Sequence, residues 1–227
     1  MKKLLLFIAF ITIAQLNSQS FSVFQVKVEK GGEQALLKLF DDTFGDKEFK
    51  SGGVQIESIH VGDIDGYASH RIAFIGDPSN WGTVEEWEPN EFQLFWSRAQ
   101  DHFEWKRSSS GNFLSYDGGA INEYPYYQIY EISVEDPSSF KSAHDKLVNQ
   151  LSDVRDGRPV ALGNFSIGGN GASHWVAVGA KNWQDLMIQK SLNESYTKEW
   201  QAYYNNRGNV EGMINYSFYV VKSYGDF

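Results

Sequence analysis

The chain repeats itself in order. Ala68-Ser69-His70, an apolar run and Asn80-Trp81 recur as Ala172-Ser173-His174, an apolar run and Asn182-Trp183. The triplets lie 104 positions apart and the Asn-Trp pairs 102 apart, and upstream Phe24-Gln25-Val26 echoes Tyr127-Gln128-Ile129 at a separation of 103. Three ordered matches at nearly one offset indicate a duplicated domain. At 227 residues with 41% hydrophobic composition, there is enough chain to bury one large core or two small ones.

Each copy reads as strand, helix, strand, strand, helix, strand. Ser22 to Val28 alternates apolar Phe24, Val26 and Val28 with Gln25 and Lys27, the period of a half-buried strand. After Gly31-Gly32, the residues Ala35, Leu36, Leu39, Phe40 and Phe44 recur at helical spacing. Val54 to Val61 and His70 to Gly76 form a hairpin about the turn Gly62-Asp63-Ile64-Asp65-Gly66. A second helix is expected within Pro89 to Lys106, and a closing strand over Asn112 to Tyr116. In the second copy Tyr127 to Val134 is the first strand, and Asp136-Pro137 supplies a helix cap with proline behind it. Pro159 to Ile167 and His174 to Gly179 flank the turn Gly168-Gly169-Asn170-Gly171. One long helix is expected from Trp183 to Asn205, with Met213 to Val221 as the last strand. The division is 1–20 leader, 21–116 first repeat, 117–126 linker and 127–227 second repeat.

This duplicated βαββαβ pattern resembles the ferredoxin-like plait, in particular the dimeric α/β-barrel superfamily of monooxygenase-like and NIPSNAP-like domains. The resemblance rests on element order, duplication and repeat length rather than on a signature motif. It implies an α+β fold in which two ferredoxin-like units form a pseudo-dimeric α/β barrel within one chain.

Lys2 and Lys3, the apolar run Leu4 to Ala14 and small residues Ser18 and Ser20 follow the order of a secretory signal peptide cleaved before Phe21, with Thr12 and Ala14 offering another site. The run is short for a membrane span, and no other stretch is long and apolar enough for one. The absence of cysteine excludes a lipobox anchor, disulfides and thiolate catalysis, which suits a bacterial periplasmic or secreted protein. Asn164-Phe165-Ser166, Asn193-Glu194-Ser195 and Asn215-Tyr216-Ser217 match the glycosylation sequon, a pattern frequent by chance. Without Lys2 and Lys3 the formal charge moves from −9 to −11, and no basic run is present, which argues against nucleic acid as a partner.

His70 and His174 are the sharpest candidates for chemistry. Alternation puts His70, Ile72 and Phe74 on one face of their strand and Arg71, Ala73 and Ile75 on the other. The third strand of a plait lies beside the first, which brings Gln25 and Gln128 near the two histidines. In a shared cavity the four are ligand-binding candidates, with His as base, donor or metal ligand. The competing reading is local: Ser caps backbone groups and His packs at the start of the strand. Asp63 and Asp65 hint at a calcium loop but lack the remaining acidic ligands, so no metal site is assigned. Asn80-Trp81 and Asn182-Trp183 read as helix starts. No phosphate loop, nucleophile elbow or zinc motif is present.

Two functions follow: a binding protein holding a small apolar or aromatic ligand between its repeats, or a cofactor-independent oxygenase or isomerase with a histidine base. Haem bound through one histidine is a variant of the second. The first is favoured because no catalytic constellation is visible. N-terminal sequencing of natively expressed protein is expected to begin near Phe21; an intact Met1 on cytoplasmic protein contradicts export.

Overall fold

The computed structural model describes residues 19–62 and 68–227. Leader residues 1–18 and the acidic turn residues Asp63 and Asp65 lie outside them. The first half runs β1 (Ser20–Val28), α1 (Glu33–Phe44), β2 (Gly53–Val61), β3 (His70–Gly76), α2 (Glu91–Ala99) and β4 (Phe103–Asp117). The second runs β5 (Tyr126–Val134), α3 (Pro137–Gln150), the single turn α4 (Ser152–Arg155), β6 (Val160–Ile167), β7 (His174–Ala180), α5 (Trp183–Glu194), α6 (Thr197–Asn206) and β8 (Val210–Gly225).

The strands close one antiparallel barrel in the order β1-β3-β2-β8-β5-β7-β6-β4. Within each half the order is fourth, first, third, second, the ferredoxin-like arrangement. Closure comes from β2 pairing β8 and β6 pairing β4, so each seam joins an outer strand of one repeat to an outer strand of the other. No sheet edge is left to pair elsewhere. Inward residues such as Phe21, Val23, Ile129, Ala161 and Trp175 form the barrel core, while outward residues pack under the helices.

Three expectations change for local reasons. The helical stripe Phe95, Ala99, Phe103 suggests a helix running to Lys106, yet α2 stops at Ala99 and β4 starts at Phe103. Phe103 is buried in the same cluster as Phe95 and Ala99, so it satisfies either period, and pairing of Val28 with Phe103 along the whole of β1 decides for strand. The helix expected from Trp183 to Asn205 breaks after Glu194, where the Ser195 hydroxyl donates to the Leu192 carbonyl. Asn182 does cap α5, accepting from the Asp185 N–H. Asn80 instead ends a single 3-10 turn and donates to the Lys50 carbonyl, eleven residues before α2 begins.

The repeat is real at Ala-Ser-His and misaligned at the glutamines. His70 lies opposite Val26 and His174 opposite Ile132, which makes Val26 equivalent to Ile132 and Gln25 equivalent to Glu131. The Phe24-Gln25-Val26 echo is therefore shifted by three residues, and an odd shift reverses the face of a strand. Gln25 points into the barrel and Gln128 out of it. Both halves carry a bulge at this level, where Lys106 and Met213 are passed over in the pairing.

The two serines explain why the triplet recurs. Ser69 N–H donates to the Val26 carbonyl and its hydroxyl accepts from the Val28 N–H at 2.9 Å. Ser173 does the same with Ile132 and Val134, also at 2.9 Å. Each hydroxyl then has a proton to give, and Nδ1 of the following histidine lies 2.9 Å away. Accepting that proton requires a neutral ring with its own hydrogen on Nε2. The triplet thus fastens the third strand to the first.

Ser69→Ala and Ser173→Ala each strand a backbone N–H and should cost about 1–3 kcal/mol. The double variant should cost nearly the sum, because the sites share no partner. Urea unfolding checks this, and unchanged midpoints contradict it.

Candidate functional site

Bulge geometry and inward alternation bring five ionisable or amide side chains from five strands to one level of the barrel. Arg71 of β3 lies 3.2 Å from Glu57 of β2, close but not aligned as a hydrogen bond. Arg107 of β4 donates to Glu131 of β5 at 2.7 Å and spends its other donors on the Gly168 carbonyl. Gln25 of β1 donates to the Tyr216 hydroxyl at 3.3 Å, and that hydroxyl donates to Glu131 at 3.4 Å. Arg71 also stacks over Phe218, its guanidinium carbon 4.3 Å from the ring centre.

All of these but Arg107 line a cavity of about 510 Å³ whose remaining wall is largely aromatic and aliphatic. Trp175 is central to the apolar wall, with Phe21 and Phe113 set edge-on to it at 5.5 and 5.1 Å. Gly163 makes room for the indole, since a Cβ there would fall 2.3 Å from the ring. Six polar atoms of residues lining this space are buried without hydrogen-bond partners: donors Arg71 Nε and Nη1, Gln55 Nε2 and Trp175 Nε1, and acceptors Gln25 Oε1 and Glu57 Oε2. Burial pushes the Glu57 carboxyl up to about 7, although the Arg71 guanidinium opposes it. The same burial raises the Tyr216 and Tyr127 hydroxyls far above their ordinary range. Chemically, the chamber offers unspent donors at Arg71 and one group, Glu57, that exchanges a proton near neutrality.

A second cavity, of about 720 Å³, lies outside the barrel between the second-half sheet and its helices. In the corresponding layer of the first half, Phe24, Phe40, Phe44, Phe74, Phe95 and Trp96 pack against one another. At the 104-residue offset, Phe40 corresponds to His144 and Phe74 to Val178, while strand register matches Phe24 to Tyr130. His144 lines the cavity and its Nε2 has no partner. Its Nδ1 is 3.4 Å from Asp145, which is held at about 2: burial opposes the shift, and hydrogen bonds from His144 and Lys141 drive it. Lys190 donates to Gln128 and to the Tyr130 hydroxyl at 2.7 and 2.8 Å.

The four residues singled out from sequence are not brought together. Gln25 is in the barrel chamber, and Gln128 lines the outer cavity. His70 and His174 point outward, are buried, and lie in neither lining. Burial lowers the pKa of both, with Glu33 opposing at His70. Sequence reading missed Glu57, Arg71, Arg107 and Glu131. Their signal was a charge at each inward position of an otherwise apolar alternation, as in Arg71 followed by Ala73 and Ile75. His144 was legible only as the one titratable residue on a helix stripe.

No protein-family model matches the chain, and no curated protein matches it either. Solved structures do. A candidate monooxygenase from Lactobacillus acidophilus superposes with a TM-score of 0.58 at 9% identity, covering 92% of this chain and 98% of its own. A candidate monooxygenase from Fusobacterium nucleatum gives 0.54 at 13%, covering 91% and 93%. A candidate chlorite dismutase gives 0.53 at 10%, covering 89% and 95%. The chain has the dimeric α/β-barrel fold. At these identities the likeness is one of fold, and no functional residue is carried over from it.

The pH dependence of this dimeric α/β barrel follows from the shifts. Folded Glu57 keeps its proton to about pH 7, whereas the unfolded chain loses it near 4.5. Its contribution to stability is full below the lower value and fades as pH rises through the higher. His70 and His174, depressed by burial, contribute above their ordinary value of 6.5 and lose that contribution as pH falls. Glu57→Gln removes only the first dependence. Its stability relative to the parent should rise between about pH 5 and 8, by roughly 1–3 kcal/mol; a constant difference in urea unfolding contradicts the assignment.

Proposed function

We propose that the chain is an exported protein that binds one small, largely apolar ligand inside the barrel, between its two repeats. The observation that carries this reading is that six unpartnered buried polar atoms belong to residues lining one aromatic-walled cavity. Each such atom costs about 1–3 kcal/mol if nothing meets it. A ligand offering both acceptors and an apolar body meets them together, and the volume is in the range of small-molecule sites. Export rests on the N-terminal pattern of Lys2, Lys3, the apolar run and the small residues before Phe21. The enzyme alternative moves with the geometry: a base working on a chamber ligand is Glu57, since neither His70 nor His174 reaches the space.

The outer cavity supports a second reading, a cofactor site in the second half. The observation favouring it is that the repeat replaces the packed aromatic Phe40 with His144, whose Nε2 is unpartnered beside a cavity of about 720 Å³. If the cofactor is a haem, His144 is the ligand that fits it, with Lys190 and Arg207 available to anionic groups. Haem would supply redox chemistry there, and the chain would supply the His144 nitrogen and an apolar wall.

Native mass spectrometry of freshly purified protein should show one small molecule bound. Ala161→Phe, which fills the barrel chamber, should remove it while leaving a cooperative melting transition. Identical ligand-free masses for both proteins contradict the barrel reading. In a haemin titration His144→Ala should abolish any new visible absorption band, whereas His174→Gln should preserve it; equal bands for both variants remove the cofactor reading.

A further inference from the structure

The unpartnered groups in the barrel also carry information about which molecule they fit. We infer that the chamber takes a small aromatic carboxylate, with the carboxylate on Arg71 and the ring against Phe21, Phe113 and Trp175. This rests on the barrel reading above and narrows it to a chemical class.

Charge and donor count point the same way. Of the two guanidinium groups at this level of the barrel, Arg107 donates to Glu131 and to the Gly168 carbonyl. At Arg71, Nε and Nη1 make no hydrogen bond, although Glu57 is only 3.2 Å away. Glu57 supplies a counter-charge but no aligned hydrogen bond, and buried N–H groups left without an acceptor are costly. Four unspent donors face two unspent acceptors, so the missing partner is an acceptor-rich group. A carboxylate presents about four lone-pair sites and matches the planar guanidinium fork. A neutral carbonyl answers the fork through one oxygen and brings no charge.

The remainder of the wall selects a flat apolar body. Phe21, Phe113 and Trp175 stand mutually edge-on, at interplanar angles of 83° to 88°. Ala73, Ala161 and Ala177 keep the space beside them open. The stacked pair Tyr127 and Phe218, 5.5 Å apart, adds another aromatic surface. Arg71 and Trp175 occupy equivalent positions in the two repeats, each following its histidine, so duplication put a cationic group and an aromatic donor into the same chamber. Divergence at one pair of equivalent sites therefore built both ends of the recognition.

The probes are 4-fluorobenzoate and its neutral isostere 4-fluorobenzamide, titrated into the full-chain protein at about pH 8 and followed by ligand fluorine resonance and calorimetry. The carboxylate should bind at least about tenfold tighter than the amide. Arg71→Gln should lose that preference by about tenfold while leaving amide affinity within about threefold. Glu57→Gln, which removes the competing carboxylate and is an isosteric change, should tighten benzoate and leave benzamide unchanged, and it serves as the deciding variant if Arg71→Gln does not fold. Ala161→Phe should block both probes. Equal affinities for the two probes, or a carboxylate preference that survives Arg71→Gln or ignores Glu57→Gln, overturns the inference while the barrel remains a binding site. If neither probe shows binding that Ala161→Phe removes, the carboxylate assignment falls and the barrel reading loses its support with it.

Discussion

Closure of the barrel is the constraint on which the rest of the molecule depends. A single ferredoxin-like repeat has two open edges and one uncovered sheet face. Here β2 with β8 and β6 with β4 join the repeats at both edges, and the two uncovered faces become one enclosed interior. Enclosure is what gives Glu57, Arg71, Arg107 and Glu131 their character. In an open sheet the same side chains would be hydrated; behind closed seams they must satisfy one another or bind something. Arg107 and Glu131 do the former. Arg71, Glu57, Gln55 and the Trp175 indole do not.

Duplication gives the molecule its frame, and divergence between equivalent positions gives it its two cavities. Where the repeats agree, at Ala-Ser-His, the shared residues hold strand to strand through the serine hydroxyls. Where they differ, space or charge appears: Arg71 against Trp175 and Gln25 against Glu131 inside the barrel, Phe40 against His144 and Phe74 against Val178 outside it. The first half spends its aromatic residues on a packed helix–sheet layer, and the second leaves that layer partly open. Conserved frame and altered lining are thus two consequences of one duplication.

The frame was legible from sequence because strand alternation, helix stripes and an ordered repeat depend on local periodicity. The inward and outward faces of β3 were also legible, from His70 to Ile75. Register was not, since the pairing of the first strand of each repeat with its third is long-range and leaves no local mark. An error of three residues therefore paired Gln25 with Gln128 across opposite faces. The histidines drew attention because they repeat, yet repetition marked a shared fastening rather than shared chemistry. The site itself lay in residues that do not repeat, Glu57, Arg71 and His144, whose meaning appears only when the seams bring distant strands to one level. Phe103 shows the same limit in miniature: its spacing fits helix and strand alike, and pairing with β1 decides.

The central claim is that the unpartnered atoms of the barrel are met by a bound molecule. A high-resolution crystal structure of natively purified protein, never exposed to denaturant, tests it most directly. The account predicts continuous density in the chamber within hydrogen-bond distance of Arg71 and of at least one of Gln55 Nε2 and Trp175 Nε1, against the rings of Phe21 and Phe113. A chamber that is collapsed or holds nothing but scattered water, with Arg71 and Glu57 aligned on each other and the remaining donors paired within the protein, contradicts it.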